Sequence, residues 1–242
     1  MHRFAIPLLL ALAGSASLQA AEIGLTPIAL HLDRDHDRTL VRVENRGSEP
    51  VTMQADAINW SRQATNGEEA STDALMVSPP IFRIGPGQTQ IVRVGLRRTT
   101  TLAQEATYRM VLREIPRPAD AGDTVSGSVQ VLVALRVPVY VAPQQPRREA
   151  RWRVRSDAQG QVTAEVTNDG NVHLLLASLH LHDGSSRTLA THAGPAMVWP
   201  GESQRFALRP SDGSRSSPDG AMVLEVLTDR GLQRVAVESQ PN

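Results

Sequence analysis

Short apolar segments that alternate with polar residues, each closed by Gly, Asn, Asp or Pro, recur along almost the whole of this 242-residue chain. Alternation with period two places every second side chain on one face of a strand, whereas an amphipathic helix repeats about every 3.6 residues. Residues 51–60 alternate in this way, as does Thr39-Leu40-Val41-Arg42-Val43 before the turn Glu44-Asn45-Arg46-Gly47. No segment longer than ~12 residues carries the helical period. The chain is therefore expected to be all-β.

The alternating segments fall into two sets separated by Pro143-Gln144-Gln145-Pro146. The second set predicts strands at 151–155, 161–167, 172–182, 188–191, 203–208, 222–228 and 232–237, divided by turns such as Asn168-Asp169-Gly170 and Pro200-Gly201. About seven short strands at this spacing fit an immunoglobulin-like sandwich. Two such domains are expected, at 21–143 and 144–242. In the first, Pro79-Pro80 interrupts an apolar run, so the strand must bend there or lie at a sheet edge.

The longest apolar strand is expected at 128–141, with Val129, Val131, Val133 and Leu135 on one face. Leu132 and Ala134 lie on the other. A strand apolar on both faces is either buried between layers or presents a hydrophobic row to a partner.

Residues 1–20 read as a secretory signal: His2 and Arg3 precede the apolar run 4–12, and small residues up to Ala20 offer a cleavage site. That run is too short to span a bilayer, which takes ~20 apolar residues, and every later apolar run is broken by Arg, Pro or Gly, so no transmembrane segment is expected. The chain has no cysteine, which excludes thiol catalysis and thiolate metal sites. Its 25 basic residues, all arginine, balance 25 acids, so the net positive field of a nucleic-acid binder is missing. Aromatics are only 3%, leaving Val, Leu, Ile and Ala to fill the cores.

Residues that could carry chemistry do not assemble into a motif. His31 and His36 stand among Asp33, Asp35 and Asp37, but the regular ligand spacing of a calcium loop is absent. His180 and His182 share a strand face, near His173 and His192 in sequence, without a short metal-ligand motif. No serine lies in a Gly-x-Ser-x-Gly elbow, and no glycine-rich segment leads a helix. No catalytic residue, metal or cofactor is assigned, and the chain is read as a non-enzyme.

Two segments carry a resemblance. In Ser78-Pro79-Pro80-Ile81-Phe82-Arg83-Ile84-Gly85-Pro86-Gly87 and in Tyr108 through Arg113-Glu114-Ile115-Pro116, the chain resembles the periplasmic chaperones of pilus and fimbrial assembly; its departure from the family at Ala29 and Pro138 fits either a divergent branch that serves spore-coat-like subunits or a different client. The resemblance implies two immunoglobulin-like domains in a boomerang arrangement with a cleft at the hinge. It also implies a periplasmic chaperone that completes the unfinished sandwich of a pilus or coat subunit with its own strand, then delivers that subunit to an outer-membrane usher. Such pairing seals an open groove and an unpaired sheet edge. The resemblance places the donor positions at Val129, Val131 and Val133, with Leu135 as an extension, although parity alone leaves open whether this set faces a client or its own core.

The same resemblance implies a domain-orienting ion pair of Arg93 and Glu105, whose third, basic member falls at Ala142. It implies a cis bond at Pro80. The two basic residues that would anchor a client's terminal carboxylate fall at Ala29 and Pro138, which carry no charge; Arg136, two residues before Pro138, is the replacement anchor on the same strand face. The alternatives are a secreted two-domain structural or adhesion protein and, less supported by the scarce aromatics, a carbohydrate-binding module.

Overall fold

The computed structural model describes residues 22–60, 70–98, 101–116, 131–157, 159–211 and 221–241. The expected signal at 1–20 and the donor position Val129 lie outside these residues.

Nine strands build the first domain: β1 (Ile23–Thr26), β2 (Leu30–Leu32), β3 (Arg38–Asn45), β4 (Val51–Asn59), β5 (Leu75–Ser78), β6 (Ile81–Ile84), β7 (Thr89–Leu96), β8 (Ala106–Glu114) and β9 (Ala134–Val141). They form a four-stranded sheet in the order β1-β3-β7-β5 and a five-stranded sheet in the order β2-β9-β8-β4-β6. Period-two patterning sorts the faces: Val41, Val43, Val92 and Val94 from the first sheet meet Met53, Met110, Leu112, Val137 and Val139 from the second in one buried cluster. The outer face of β3 carries Arg38, Leu40 and Arg42, all exposed.

Prolines make two strands change sheets. β5 pairs with β7 in one sheet, and after Pro79-Pro80 the chain re-enters the other sheet as β6 against β4. A proline lacks the N–H that a ladder needs, so the crossing falls at sheet edges, as the sequence required. β1 and β2 make the same crossing at Pro27. The cis peptide bonds are Thr26-Pro27 and Ser78-Pro79, so the cis bond expected at Pro80 is found one residue earlier.

The second domain holds β10 (Ala150–Ser156), β11 (Val162–Asn168), β12 (Leu174–His182), β13 (Thr188–Val198), β14 (Ser203–Pro210), β15 (Ala221–Thr228) and β16 (Gly231–Pro241). All seven predicted strands are present. β13 also pairs with β14, and β10 pairs in parallel with β16, so the two faces of this sandwich are joined at both edges into a closed barrel. Trp152, Leu179, Leu181, Phe206 and Leu224 fill its core.

The two domains share one turn device. Asn45 is fully buried; its Nδ2 donates to the carbonyls of Glu49 and Ile84 at 2.7 and 3.1 Å, while its Oδ1 accepts the Gly47 N–H at 3.0 Å. Asn168 does the same in the second domain with Val172, Val198 and Gly170 at 2.9, 3.0 and 3.0 Å. Gly87 and Gly201, at φ of 67° and 79°, each donate N–H to the carbonyl of that asparagine. Only glycine takes this backbone without strain, which gives Pro86-Gly87 a role in the fold.

Candidate functional site

β9 is flanked by β8 along its length but by β2 only at Val139, Tyr140 and Val141. From Ala134 to Pro138 its outer edge has no strand partner among the described residues. The ladder geometry shows which groups face that edge. Glu114 N–H donates to the Val133 carbonyl, so odd-numbered residues here exchange bonds with β8, and the Ala142 N–H donates to Leu32 on the opposite side. Antiparallel bonding alternates, so even-numbered residues turn their main chain outward. Ala134 thus directs an N–H and a C=O to the outer edge. Pro138 directs only a C=O, and its missing N–H costs the β8 ladder nothing.

The strand entry is pinned by the Arg113-Glu114-Ile115-Pro116 signature. Besides its main-chain bond, Glu114 accepts the Val133 N–H on its carboxylate at 3.1 Å. Arg113 bonds Asp56 at 3.3 Å, and Ile115 N–H donates to Thr52. Arg83 lies exposed on β6 opposite Thr52. Just before this anchored point, Val131 and Leu132 are 49% and 43% exposed.

Two expected site assignments change. Leu135 packs partly buried against the first-domain core, because the odd-numbered face of β9 turns inward from this residue onward. In the free chain Leu135 fills its own domain and is not part of an exposed donor row. Arg93 and Glu105 do not meet: Arg93 is exposed on β7 between Leu40 and Ser78, and Glu105 is bonded instead to His173 of the second domain. Arg136 is exposed on the even-numbered face of β9 opposite Val111, on the approach to the cleft rather than among the residues lining it.

The two domains enclose a cleft of about 630 Å³. His31, His173, Arg34, Arg148 and Arg230 supply its basic groups, with Asp33, Asp35, Glu105 and Asp229 as acids. Burial, and next the neighbouring Arg230, lowers the Arg148 pKa; burial raises that of Tyr140. Ala29 and Pro138 bring no charge, so the cations of this cleft come from other positions.

Contacts across the junction fix how the domains meet. His173 Nδ1 lies 2.6 Å from Glu105 Oε1, with side chains only 9% and 5% exposed, and its main-chain N–H donates to Glu105 Oε2 at 3.2 Å. Asn171 donates Nδ2 to the carbonyls of Ala103 and Gln145 at 2.9 and 3.0 Å and accepts the Arg147 N–H at 2.6 Å. Its carbonyl accepts the Glu105 N–H. One side chain thereby ties the first domain, the linker and the second domain. Trp60 meets Trp199 edge-on at 5.2 Å between centroids, and the Arg109 guanidinium lies 4.3 Å over the Trp60 ring. Sequence reasoning missed Asn171, Tyr140 and Trp199; the turn Asn168-Asp169-Gly170 marks the place, but nothing in it shows what Asn171 reaches.

Elsewhere, His182 Nε2 faces Glu225 at 3.2 Å and His180 bonds Ser178. No group of three or more His, Asp or Glu among the described residues is placed to hold a metal ion. No helix among them is long and apolar enough to cross a membrane.

Two immunoglobulin-like domains around a cleft, with an unladdered strand edge leading into it, define a two-domain protein shaped for edge-to-edge pairing. Residues 22–147 match the family described as pili and flagellar-assembly chaperone, PapD N-terminal domain, and the chain belongs to that family. The fold agrees with solved chaperones. In the chaperone–tip adhesion subunit pre-assembly complex CsuC–CsuE from archaic Csu pili of Acinetobacter baumannii, the matched chain is 17% identical, with 91% of this chain and 100% of that one covered at a TM-score of 0.56. In the Salmonella enterica SafA pilin complex with the SafB chaperone the values are 15%, 90%, 98% and 0.58. For the Pseudomonas aeruginosa CupB2 chaperone they are 15%, 88%, 98% and 0.54. A search of curated proteins by sequence finds no match.

Proposed function

We propose that this protein is a non-enzymatic periplasmic chaperone that lends a strand to an exported pilus or spore-coat-like subunit and delivers it to an outer-membrane usher. The observation that carries the reading is the outer edge of β9, unladdered from Ala134 to Pro138 and preceded by exposed Val131. A subunit with an open edge gains main-chain bonds along this strand, while Val129, Val131 and Val133 offer alternate side chains to its groove. Binding leaves no long flat edge on either partner, which is what protects against aggregation. Release follows when another strand displaces β9.

Arg136 is proposed as the group that meets the client's terminal carboxylate, since an arginine fork pairs with a carboxylate through two parallel bonds. Glu105 keeps its proposed domain-orienting role, with His173 as the partner.

Co-expression with a candidate subunit tests the reading. Val131→Asp with Val133→Asp is expected to abolish recovery of a soluble complex while the free chaperone stays folded, because Val131 is exposed, Val133 is half-buried and neither belongs to the core cluster. Undiminished recovery from the double variant contradicts the assignment. Arg136→Ala is expected to weaken the complex, and unchanged affinity removes Arg136 as the anchor.

A further inference from the structure

Four rings form a row through the domain junction. His31 of β2 lies 5.3 Å from Tyr140 of β9, Tyr140 lies 4.2 Å from His173, and His173 lies 6.0 Å from Trp199, all between ring centroids. The first two belong to the first domain and the last two to the second, so this row is part of the contact that holds the domains at their angle. His173 has a carboxylate of its own at 2.6 Å in Glu105. His31 has none within hydrogen-bonding distance among the described residues, and it stands 6.4 Å from His173.

The groups around His31 come from every wall of the cleft. Tyr140 faces it from β9, Asp33, Arg34 and Asp35 from the turn after β2, Glu105 from the segment before β8, and Arg148 from the linker. His173 faces it from the start of the second domain's β12 region, and Asp229 and Arg230 from the turn between β15 and β16. Burial, and then the neighbouring His173, holds the His31 pKa below its ordinary 6.5; Arg230 acts in the same sense, while Glu105 and Asp229 oppose it. The closed junction therefore favours an uncharged ring at this position.

We propose that the junction is a proton-operated hinge, in which the two domains stay closed on one another while His31 is neutral and swing apart when His31 takes up a proton. Imidazole is the side chain suited to such a device, because it changes charge between about pH 5 and 8. A cation at His31 faces His173, Arg148 and Arg230 across the cleft, and opening gives it water and distance from them. The cleft lies at the end of β9, so the angle also sets how a bound partner meets the second domain. The hinge itself needs no partner.

Because the chain lacks cysteine, Thr89→Cys and Arg153→Cys place one spin label on an exposed position in each domain. Pulsed electron paramagnetic resonance then reads one interdomain distance. The expected result is a shift of that distance distribution between about pH 7.5 and pH 5, with His31→Gln holding the neutral distribution at both and His31→Arg showing the acid one already at about pH 7.5. An unchanged distribution in the parent protein overturns the hinge, as does a full shift retained in His31→Gln. Loss of β-structure by circular dichroism at the lower pH, in place of a rigid-body shift, overturns it too.

Discussion

Glu114 holds Val133 twice: its main-chain N–H donates to the Val133 carbonyl at 2.8 Å, and its carboxylate accepts the Val133 N–H at 3.1 Å. This pair sets the point where β9 joins the sheet. Exposed chain precedes it at Val131 and Leu132, and a strand with one unladdered edge follows it from Ala134. Where the edge begins is therefore decided by a side chain as well as by the ladder.

Glu114→Ala removes the carboxylate and leaves the ladder bond. One partly exposed hydrogen bond contributes about 0.5–1.5 kcal/mol. The expected outcome is a loss of stability in that range by urea unfolding, with faster hydrogen exchange at the Val133 amide. Glu114→Gln, which keeps an acceptor oxygen, is expected to fall between the two.

Asn171→Ala breaks three side-chain hydrogen bonds that join Ala103, Gln145 and Arg147. These bonds are exposed, so the expected loss of stability is modest, about 1–2 kcal/mol. The domain angle should respond more strongly. Small-angle scattering is expected to show a broader range of dimensions than in the parent protein, and an identical profile contradicts the role given to Asn171.

Asn45 and Asn168 are buried and each satisfies two carbonyls and one N–H. Replacing either with alanine leaves those groups without a partner in the core, at a cost of about 3 kcal/mol. Denaturant melts of Asn45→Ala and Asn168→Ala are expected to show similar losses, each in its own domain. The reason is that the two turns use the same arrangement.

Acid stability should depend on Asp183 in the turn between β12 and β13. The Ser185 hydroxyl, then the Arg187 main-chain N–H, donate to its carboxylate at 2.6 and 3.0 Å and hold its pKa at about 2, against an ordinary 3.8. A depressed acid means that the unfolded chain binds the proton more readily. The contribution is present above pH 3.8 and is lost as the pH falls through about 2. Thermal melts across that window are expected to show a shallower decline for Asp183→Asn than for the parent protein.

The strands were legible because burial on one face imposes alternation, and the turns because Asn, Asp, Gly and Pro have backbone preferences that few residues share. Pro79-Pro80 marked a bend or a sheet edge, and the structure places the crossing between sheets there. Side-chain partners across the junction were not legible. Glu105 and His173 are 68 residues apart in sequence, and no local pattern tells a carboxylate which domain will present its donor. The resemblance pointed to Glu105 but assigned it Arg93, whose side chain faces outward on β7. Parity grouped Leu135 with Val131 and Val133, yet of the three Val131 is exposed, Val133 is half-buried at the strand entry, and Leu135 packs against the core.

Hydrogen exchange at the Ala134 amide, followed as a candidate pilus subunit is added, tests the strand-lending account most directly. This N–H faces the outer edge of β9, so the account predicts slow exchange in the complex and fast exchange in the free chain. A complex that forms while the Ala134 amide continues to exchange at its free rate contradicts it.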